Sequence, residues 1–168
     1  MSSLPLHPFV VHFPIVLAVL VPIVAFGAAF FLFKEKGWKR VWMIPVSLQV
    51  AVLILSFVAV QLGEADEERV EAVVAEQVLE EHEEWGERFL VFSGGLTLLM
   101  LLPLFLKTRF LPLLVATISL VGTGLVLKVG HSGGELVYNH GAAAVYSNMD
   151  KANPARGFRG HDDDDDDD

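Results

Sequence analysis

The sequence contains no cysteine among its 168 residues. Disulfide bonds, iron–sulfur clusters, zinc sites built on thiolates and covalently attached c-type haem all require cysteine and are therefore excluded. Histidine, with 6 residues in the chain, is the commonest metal ligand that remains. A metal ion or haem would have to be held by imidazole, with or without carboxylates.

Several motifs of catalysis and transport are also missing from the sequence. There is no glycine-rich phosphate loop, no arrangement of serine or cysteine nucleophiles, and no His-Glu-x-x-His metalloprotease motif. The Glu-x-x-His pair of helical di-iron sites is absent, because Leu79 stands three residues before His82. No charged residue lies deep within the long apolar runs, which argues against a transport pathway. These absences favour a redox carrier or complex subunit over a stand-alone enzyme.

Long apolar runs dominate what is present. Apolar residues make up 53% of the chain and the mean hydropathy is +0.51, above the range of ordinary soluble domains. Four runs are long enough to cross a hydrocarbon layer about 30 Å thick as helices. They cover residues 10–33, 41–62, 89–106 and 110–129. The sequence therefore predicts an all-α, integral membrane four-helix bundle in one domain, residues 1–146, whose first run is retained because it lacks a signal-peptide cleavage site.

The formal charge of −9 is concentrated at the end of the chain. The aspartate run Asp162–Asp168 supplies most of it, and the rest of the chain is close to neutral. A run of like charges repels itself and stays disordered. We therefore predict a polar and acidic tail over residues 147–168, including His161, with no catalytic role and no nucleic-acid partner.

Basic residues are gathered in two short turns, residues 34–40 and 107–109. Trp38 and Trp42, at the first turn, are expected in the aromatic belt at the lipid boundary. The positive-inside rule places both turns in the cytoplasm. Both termini and the glutamate-rich segment 64–87 are then predicted on the opposite side of the membrane.

Five histidines fall at the helix ends that this topology brings to one face of the bundle. They are His7 and His12 at the start of the first run, His82 before the third, and His131 and His140 after the fourth. Ionisable residues at such positions in membrane proteins are usually functional. The alternative is that they are interfacial residues that only hydrogen-bond backbone carbonyls.

His82 shares its helical face with apolar residues, if the glutamate-rich segment is a helix that continues into the third run. At about 100° per residue, the residues in phase with His82 are Ala75, Val78, Leu79, Gly86, Phe89, Ser93 and Leu96. Glu80, Glu84 and Glu87 point the other way. The sequence therefore predicts an extramembrane helical extension before helix three, with His82 in the packed stripe.

Proline and glycine mark two boundaries. Pro8 suits the first position of a helix and Pro14 removes a backbone hydrogen bond, so the opening turn is expected to bend. Glycines from Gly130 to Gly141 are expected to let the chain leave helix four and fold back over the bundle mouth. Glu135, in that loop, could orient a histidine or bind a metal.

Three motifs occur together in this chain. They are His7-Pro8-x-x-x-His12-Phe13-Pro14 at the start of helix one, His82 leading helix three, and Gly133-Gly134-Glu135-Leu136-Val137-Tyr138-x-His140-Gly141 after helix four. The combination, spanning residues 6–145, resembles the bacterial DUF2231 family, an uncharacterised four-helix membrane domain. Relatives fused to Rieske or cytochrome c domains imply work near an electron-transfer chain. The resemblance implies a bacterial cytoplasmic (inner) membrane location, and the positive-inside rule then predicts both termini in the periplasm.

The first functional hypothesis is a b-type cytochrome. Pairs of imidazoles ligate haem iron, and a helix bundle provides apolar walls for the porphyrin. The ligands of one or two haem b groups would be His7, His12, His82 and His140, with His131 as a further candidate. The protein would exchange electrons with a membrane or periplasmic redox partner such as a cytochrome c or Rieske protein.

Two other hypotheses remain open. In the second, the same four histidines are joined by Glu135, Glu64 or Asp66 in a non-haem site for a divalent transition metal, zinc, copper or iron. In the third, the chain is a structural membrane subunit of a larger redox complex, surrounded by lipid, and its acidic outer helix docks a basic partner.

Overall fold

The computed structural model describes residues 6–32, 36–106, 108 and 110–144. All the regular secondary structure of these residues is helical. The helices are α1 (His7–Val10), α2 (His12–Leu32), α3 (Trp38–Val70), α4 (Glu76–Phe105) and α5 (Leu111–Tyr138). Four segments of this described part are long and apolar enough to span a membrane: His7–Phe31, Trp38–Glu67, Glu76–Phe105 and Leu111–Tyr138. The predicted all-α fold with four membrane-spanning helices is confirmed.

The four long helices pack in a ring. α2 packs on α3 and α5, and α4 packs on the same two helices. Short connections make successive helices antiparallel, as in an up-and-down bundle. Small residues on α2 allow close helix approach at the core, and these are Ala18, Ala25, Ala28 and Ala29. Large apolar side chains on the outer faces, such as Phe57 and Leu98, stay exposed, which suits a surface covered by lipid.

The opening turn lacks one helical hydrogen bond, as its prolines predict, and the bend itself stays a prediction. α1 ends at Val10, Val11 lies in a turn, and α2 starts at His12. Pro14 has no N–H to offer the Val10 carbonyl, so one hydrogen bond of a continuous helix is missing here. α1 has no buried residue. Val11 nevertheless keeps helical dihedral angles, with φ −59° and ψ −26°, so α1 continues in the direction of α2 and packs against α3.

α3 and α4 extend beyond the predicted membrane spans. α3 runs past Gly63 to Val70, and α4 begins at Glu76 after a short turn. A small second core joins these extensions to the end of α5, and it consists of Val74, Leu79, Leu136 and Ala142. Val70 packs against this core, which stabilises the last turns of α3. The predicted extension before helix three is confirmed, and it is accompanied by an extension of helix two that the sequence did not predict.

α5 continues through its glycines as far as Tyr138. The chain turns back only afterwards, where Gly141 has a φ of 71° and the Ala142 N–H donates to the Leu136 carbonyl at 3.0 Å. A glycine with positive φ just after a helix is a common way to end it. The predicted folded-back segment therefore begins later than Gly130, because the glycines at 130, 133 and 134 lie within the helix.

Trp42 lies in the bundle core, and its predicted place in the aromatic belt is wrong. Its side chain is 0% exposed, and its Nε1–H donates to the Met100 carbonyl at 2.8 Å. Trp42 points inward because it shares a face of α3 with Val46 and Gln49, which lie about one and two turns further on and are also buried. Trp38 is partly buried and packs against the same core.

Some predictions fall outside the described residues. They concern the acidic tail, including His161, and parts of both basic turns, namely Lys34, Lys107 and Arg109. The orientation of the bundle in the membrane and the domain boundaries therefore stay predictions.

Candidate functional site

Two of the five candidate histidines, His7 and His82, lie together at one end of the bundle. Their ring centroids are 6.3 Å apart and the ring planes are nearly perpendicular, at 89°. His7 is carried by α1 and His82 by α4. We call these two residues the histidine pair and this end of the bundle the histidine end.

His7 is held by a backbone carbonyl of α3. Its Nδ1 lies 2.8 Å from the Ala59 oxygen. A carbonyl can only accept a hydrogen bond, so Nδ1 of His7 carries the hydrogen. In the neutral ring the free lone pair is therefore on Nε2, the atom available to a metal or a donor.

His82 is held by a side chain of α5. Its Nδ1 lies 2.9 Å from the Ser132 hydroxyl oxygen. Ser132 is only 6% exposed. The hydrogen bond joins α4 to α5, one turn of α5 before Leu136 of the second core.

Each ring of the pair lies against a glycine of a neighbouring helix. A Cβ placed on Gly63 of α3 would lie 3.2 Å from Cε1 of His7, and a Cβ placed on Gly133 of α5 would lie 3.0 Å from Cε1 of His82. Both distances are shorter than ordinary carbon–carbon contacts of about 3.5–4.0 Å. The two glycines therefore leave the space in which the imidazoles lie.

The other three candidate histidines are on the surface. His12, at the start of α2, and His140, after α5, are both exposed. The His131 side chain is 67% exposed, and its Nε2 lies 3.5 Å from Glu135 Oε1. His7 and His12 are five residues apart, so a helical path places them on different faces. The roles assigned to these three histidines and to Glu135 stay predictions.

No larger ligand cluster accompanies the pair. Across residues 6–32, 36–106, 108 and 110–144, no group of three or more histidine, aspartate or glutamate side chains is placed to hold a metal ion. The proposed contribution of Glu64 or Asp66 has no support from contacts either, since Gln61 donates to Glu64 and Asp66 pairs with Arg69. The site offered by the described residues is therefore a pair of imidazoles.

The surroundings of the histidine end are acidic. Glu83, next to His82 in the chain, has the carboxylates of Glu67, Glu87, Glu64 and Glu71 as electrostatic neighbours. These groups come from the extensions of α3 and α4 and, for Glu71, from the turn between them. Like charges at this density create a negative surface that attracts cationic groups and repels anions.

The interior of the bundle is polar at one level but has little free space. Gln49 Nε2 donates to the Ser93 hydroxyl at 2.9 Å, beside a cavity of about 10 Å³ that Ser119 also lines. That volume suits one water molecule at most. A larger groove of about 450 Å³ is lined by apolar residues of α4 and α5, such as Leu98. Neither space is lined by His7 or His82, so both are separate from the histidine end.

The sequence missed Ala59, Gly63 and Ser132 as parts of this site. Ala59 acts through its backbone, which no residue pattern reveals. Gly63 directly follows the predicted span 41–62 and was not identified, although a glycine in phase with buried residues of a long apolar run also indicates close approach of another group. Ser132 stands next to the glycines of the third motif and could have been found as the polar residue on the inward face of α5.

Comparison with known proteins agrees with the resemblance noted from the motifs. Neither a curated protein nor a solved structure matches the sequence. A family described as "Predicted membrane protein (DUF2231)" matches residues 3–145. This range contains all five helices and the histidine pair. The chain therefore belongs to the DUF2231 family of membrane proteins.

Proposed function

We propose that this protein is a b-type cytochrome-like electron-transfer protein in which His7 and His82 ligate the iron of one haem at the histidine end. The observation that carries the proposal is a pair of imidazoles on separate helices, 6.3 Å apart, with no third ligand nearby in the described part of the chain. The donor set, the spacing and the surroundings of the pair each support it.

The donor set favours haem over a mononuclear non-haem metal. Structural zinc sites use four protein ligands and catalytic ones three. Non-haem iron sites commonly use two histidines and a carboxylate. Haem iron receives its equatorial nitrogens from the porphyrin and needs only axial ligands from the protein. Two imidazoles without a carboxylate therefore fit haem best.

The spacing of the rings is compatible with a shared iron. Two metal–nitrogen bonds of about 2.0 Å each, with the distance from each nitrogen to its ring centre, span a separation close to the observed 6.3 Å. The flat group must enter between α1 and the bundle. α1 has no buried residue, and Pro14 leaves one helical hydrogen bond unmade between α1 and α2, so few contacts oppose a small displacement of α1.

The residues around the pair orient and tune it. The Ala59 carbonyl fixes the hydrogen of His7 on Nδ1 and leaves Nε2 bare, and Ser132 contacts Nδ1 of His82. Haem would supply reversible one-electron chemistry, and the protein would set its potential through axial ligation, hydrogen bonds and burial. The pair supports one haem. A second haem ligated through His12 and His140 has no comparable support, because both residues are exposed and no contact between them is described.

The place of the site suggests its partner. With the basic turns in the cytoplasm, the histidine end faces the periplasm of a bacterial inner membrane and both termini lie there. Its negative surface would steer a positively charged redox partner, such as a cytochrome c or a Rieske protein. The protein would then be an electron carrier within, or next to, a larger membrane complex.

The visible spectrum of the purified protein tests the proposal. A Soret band, with sharp α and β bands on reduction, is expected after purification or after addition of haemin. His7→Ala and His82→Ala should each abolish the bis-imidazole spectrum. His131→Ala and His140→Ala are matched controls, since both remove exposed histidines of the same end, and they should leave the spectrum unchanged.

Two other outcomes would replace the proposal. A colourless protein that holds one transition-metal ion per chain, and loses it in His82→Ala, would favour the non-haem site. A protein that binds neither haem nor metal would leave a structural subunit whose acidic end docks a basic partner.

A further inference from the structure

We infer that Ser132 is a positioning residue that holds His82 in the tautomer with the hydrogen on Nδ1 and the lone pair on Nε2. The use of that lone pair rests on the proposed function, because a ligand of iron must present a bare nitrogen. The tautomer itself does not depend on haem and can be measured without it.

The single hydrogen of the Ser132 hydroxyl decides the assignment. The oxygen lies 3.0 Å from the Val129 carbonyl and 2.9 Å from Nδ1 of His82. The carbonyl can only accept, so the hydroxyl hydrogen is donated to Val129. The serine oxygen then turns a lone pair towards His82, whose Nδ1 must supply the hydrogen.

The opposite tautomer has no comparable support. It would place a hydrogen on Nε2 of His82, and in the described part of the chain the hydrogen bonds of both rings of the pair involve Nδ1 alone. An N–H without an acceptor in a half-buried position is unfavourable. Donation from Nδ1 of His82 to Ser132, and from Ser132 to Val129, gives every N–H and O–H of this series an acceptor and leaves Nε2 of His82 without a hydrogen.

The two histidines are thus oriented alike but by different means. His7 is held by the Ala59 carbonyl, which belongs to the backbone and survives any substitution. His82 is held by a hydroxyl, which one substitution removes. Substitution of Ser132 therefore removes a hydrogen bond of the histidine pair without changing either imidazole.

Nitrogen NMR of the full-length, haem-free protein labelled with ¹⁵N-histidine tests the tautomer. At about pH 8, well above the ordinary histidine pKa of about 6.5, protonated and bare ring nitrogens have widely separated shifts. His82, assigned by the signals lost in His82→Ala, should be protonated at Nδ1 in the unmodified protein. Ser132→Ala should move the hydrogen largely to Nε2, the form that an unconstrained histidine side chain favours in water, and Ser132→Thr should restore the original pattern.

Ser119→Ala is the matched control. Ser119 is a buried serine of the same helix, and its hydroxyl donates to the carbonyl three residues back, that of Ala116, at 2.7 Å. It therefore shares the local bonding of Ser132 but has no histidine. The His82 signals should not change in this variant. A matching change there would mean that any lost serine of α5 disturbs the bundle, and the positioning role would be overturned.

Haemin titration provides the second readout. Loss of a residue that orients a ligand typically weakens metal binding about 10–100-fold, and Ser132→Ala should do so while Ser132→Thr and Ser119→Ala bind like the unmodified protein. A bare Nδ1 in the unmodified protein, or an unchanged tautomer in Ser132→Ala, would refute the inference. If haemin does not bind the unmodified protein but the tautomer responds to Ser132→Ala, the proposed function fails and the orientation by Ser132 stands.

Discussion

The two ends of the bundle share one kind of hydrogen bond, from a side-chain ring to a backbone carbonyl, but differ in what that bond achieves. At the histidine end, a ring N–H of His7 donates to the Ala59 carbonyl of another helix at 2.8 Å. At the opposite end, which we call the tryptophan end, the ring N–H of Trp42 donates to the Met100 carbonyl, also at 2.8 Å. Both bonds join a ring to the backbone of a neighbouring helix.

The difference between these ends lies in what remains after the bond is made. Tryptophan has one polar atom, so Trp42 is fully satisfied and fully buried. Histidine has a second nitrogen, and the pair is only half buried and lies against glycines. The same contact therefore uses the only polar atom of Trp42 at one end, whereas at the other it leaves Nε2 of His7 without a hydrogen.

The strongest test of this contrast is Trp42→Ala. Removal of a large buried aromatic side chain leaves a cavity and should lower the free energy of unfolding by about 3–5 kcal/mol. Trp38→Ala, which removes a partly exposed tryptophan of the same helix, should cost clearly less. Unfolding of both variants in mixed micelles gives the comparison. Equal losses would show that burial of Trp42 is not what stabilises the tryptophan end.

Gly133→Ala should act mainly at the histidine end. The added Cβ would lie 3.0 Å from Cε1 of His82, so the ring must shift, at a cost of about 1–3 kcal/mol typical of overpacking. Haemin binding should weaken as well. Gly134→Ala is the matched control, because nothing lies within 4 Å of its Cβ.

In that control, the replacement of glycine by alanine within a helix should raise the free energy of unfolding by roughly 0.5–1 kcal/mol. Haemin binding should be unchanged. Opposite signs in the two neighbouring variants would establish that space for His82 matters at residue 133. The same sign in both would contradict it.

Phenylalanine substitutions separate the hydrogen bond from the bare nitrogen. Trp42→Phe removes the bond to Met100 and should lower the free energy of unfolding by about 0.5–1.5 kcal/mol, with haemin binding retained. His7→Phe removes the bond to Ala59 together with Nε2. Its free energy of unfolding should fall by a similar amount, and it should no longer bind haemin through two imidazoles. Retained binding in His7→Phe would remove that residue from the ligand set.

The smallest effects are expected for the exposed pair His131 and Glu135. Surface ion pairs contribute about 0–1 kcal/mol, and neither residue contacts the histidine pair through the hydrogen bonds described. His131→Ala and Glu135→Gln should therefore leave unfolding and the visible spectrum almost unchanged. A marked change in haemin binding for either variant would return these residues to the list of ligands.

The fold could be predicted because its signals are long. Four apolar runs predicted the spans, and the phase of the stripe through Phe89, Ser93 and Leu96 placed His82 inward, as found. The same phase reasoning applied to Trp42 would have placed it in the core beside Val46. Trp42 was instead assigned from its residue type and its distance from the basic turn, and residue type does not decide which face it occupies.

The site could be predicted only in part. The topology predicted five histidines at one end of the bundle. It does not determine how each helix is rotated about its axis, and His12 lies five residues from His7 on a different face. The turn after α5 was also placed too early, because a glycine inside a helix and a glycine that ends one look alike in sequence. The Ala59 carbonyl carries no sequence signal at all, since every residue has one.

α3 is one unbroken helix of 33 residues that carries Trp42 near its start and Gly63 towards its far end. The direction in which Trp42 faces therefore fixes the direction in which Gly63 faces. An insertion of one residue between them would turn Gly63 by about 100° and shift it by about 1.5 Å, so that it no longer lies under His7. A seven-residue insertion would nearly restore the angle but lengthen the helix by about two turns. The length of this helix is thus constrained by phase as well as by the thickness of the membrane.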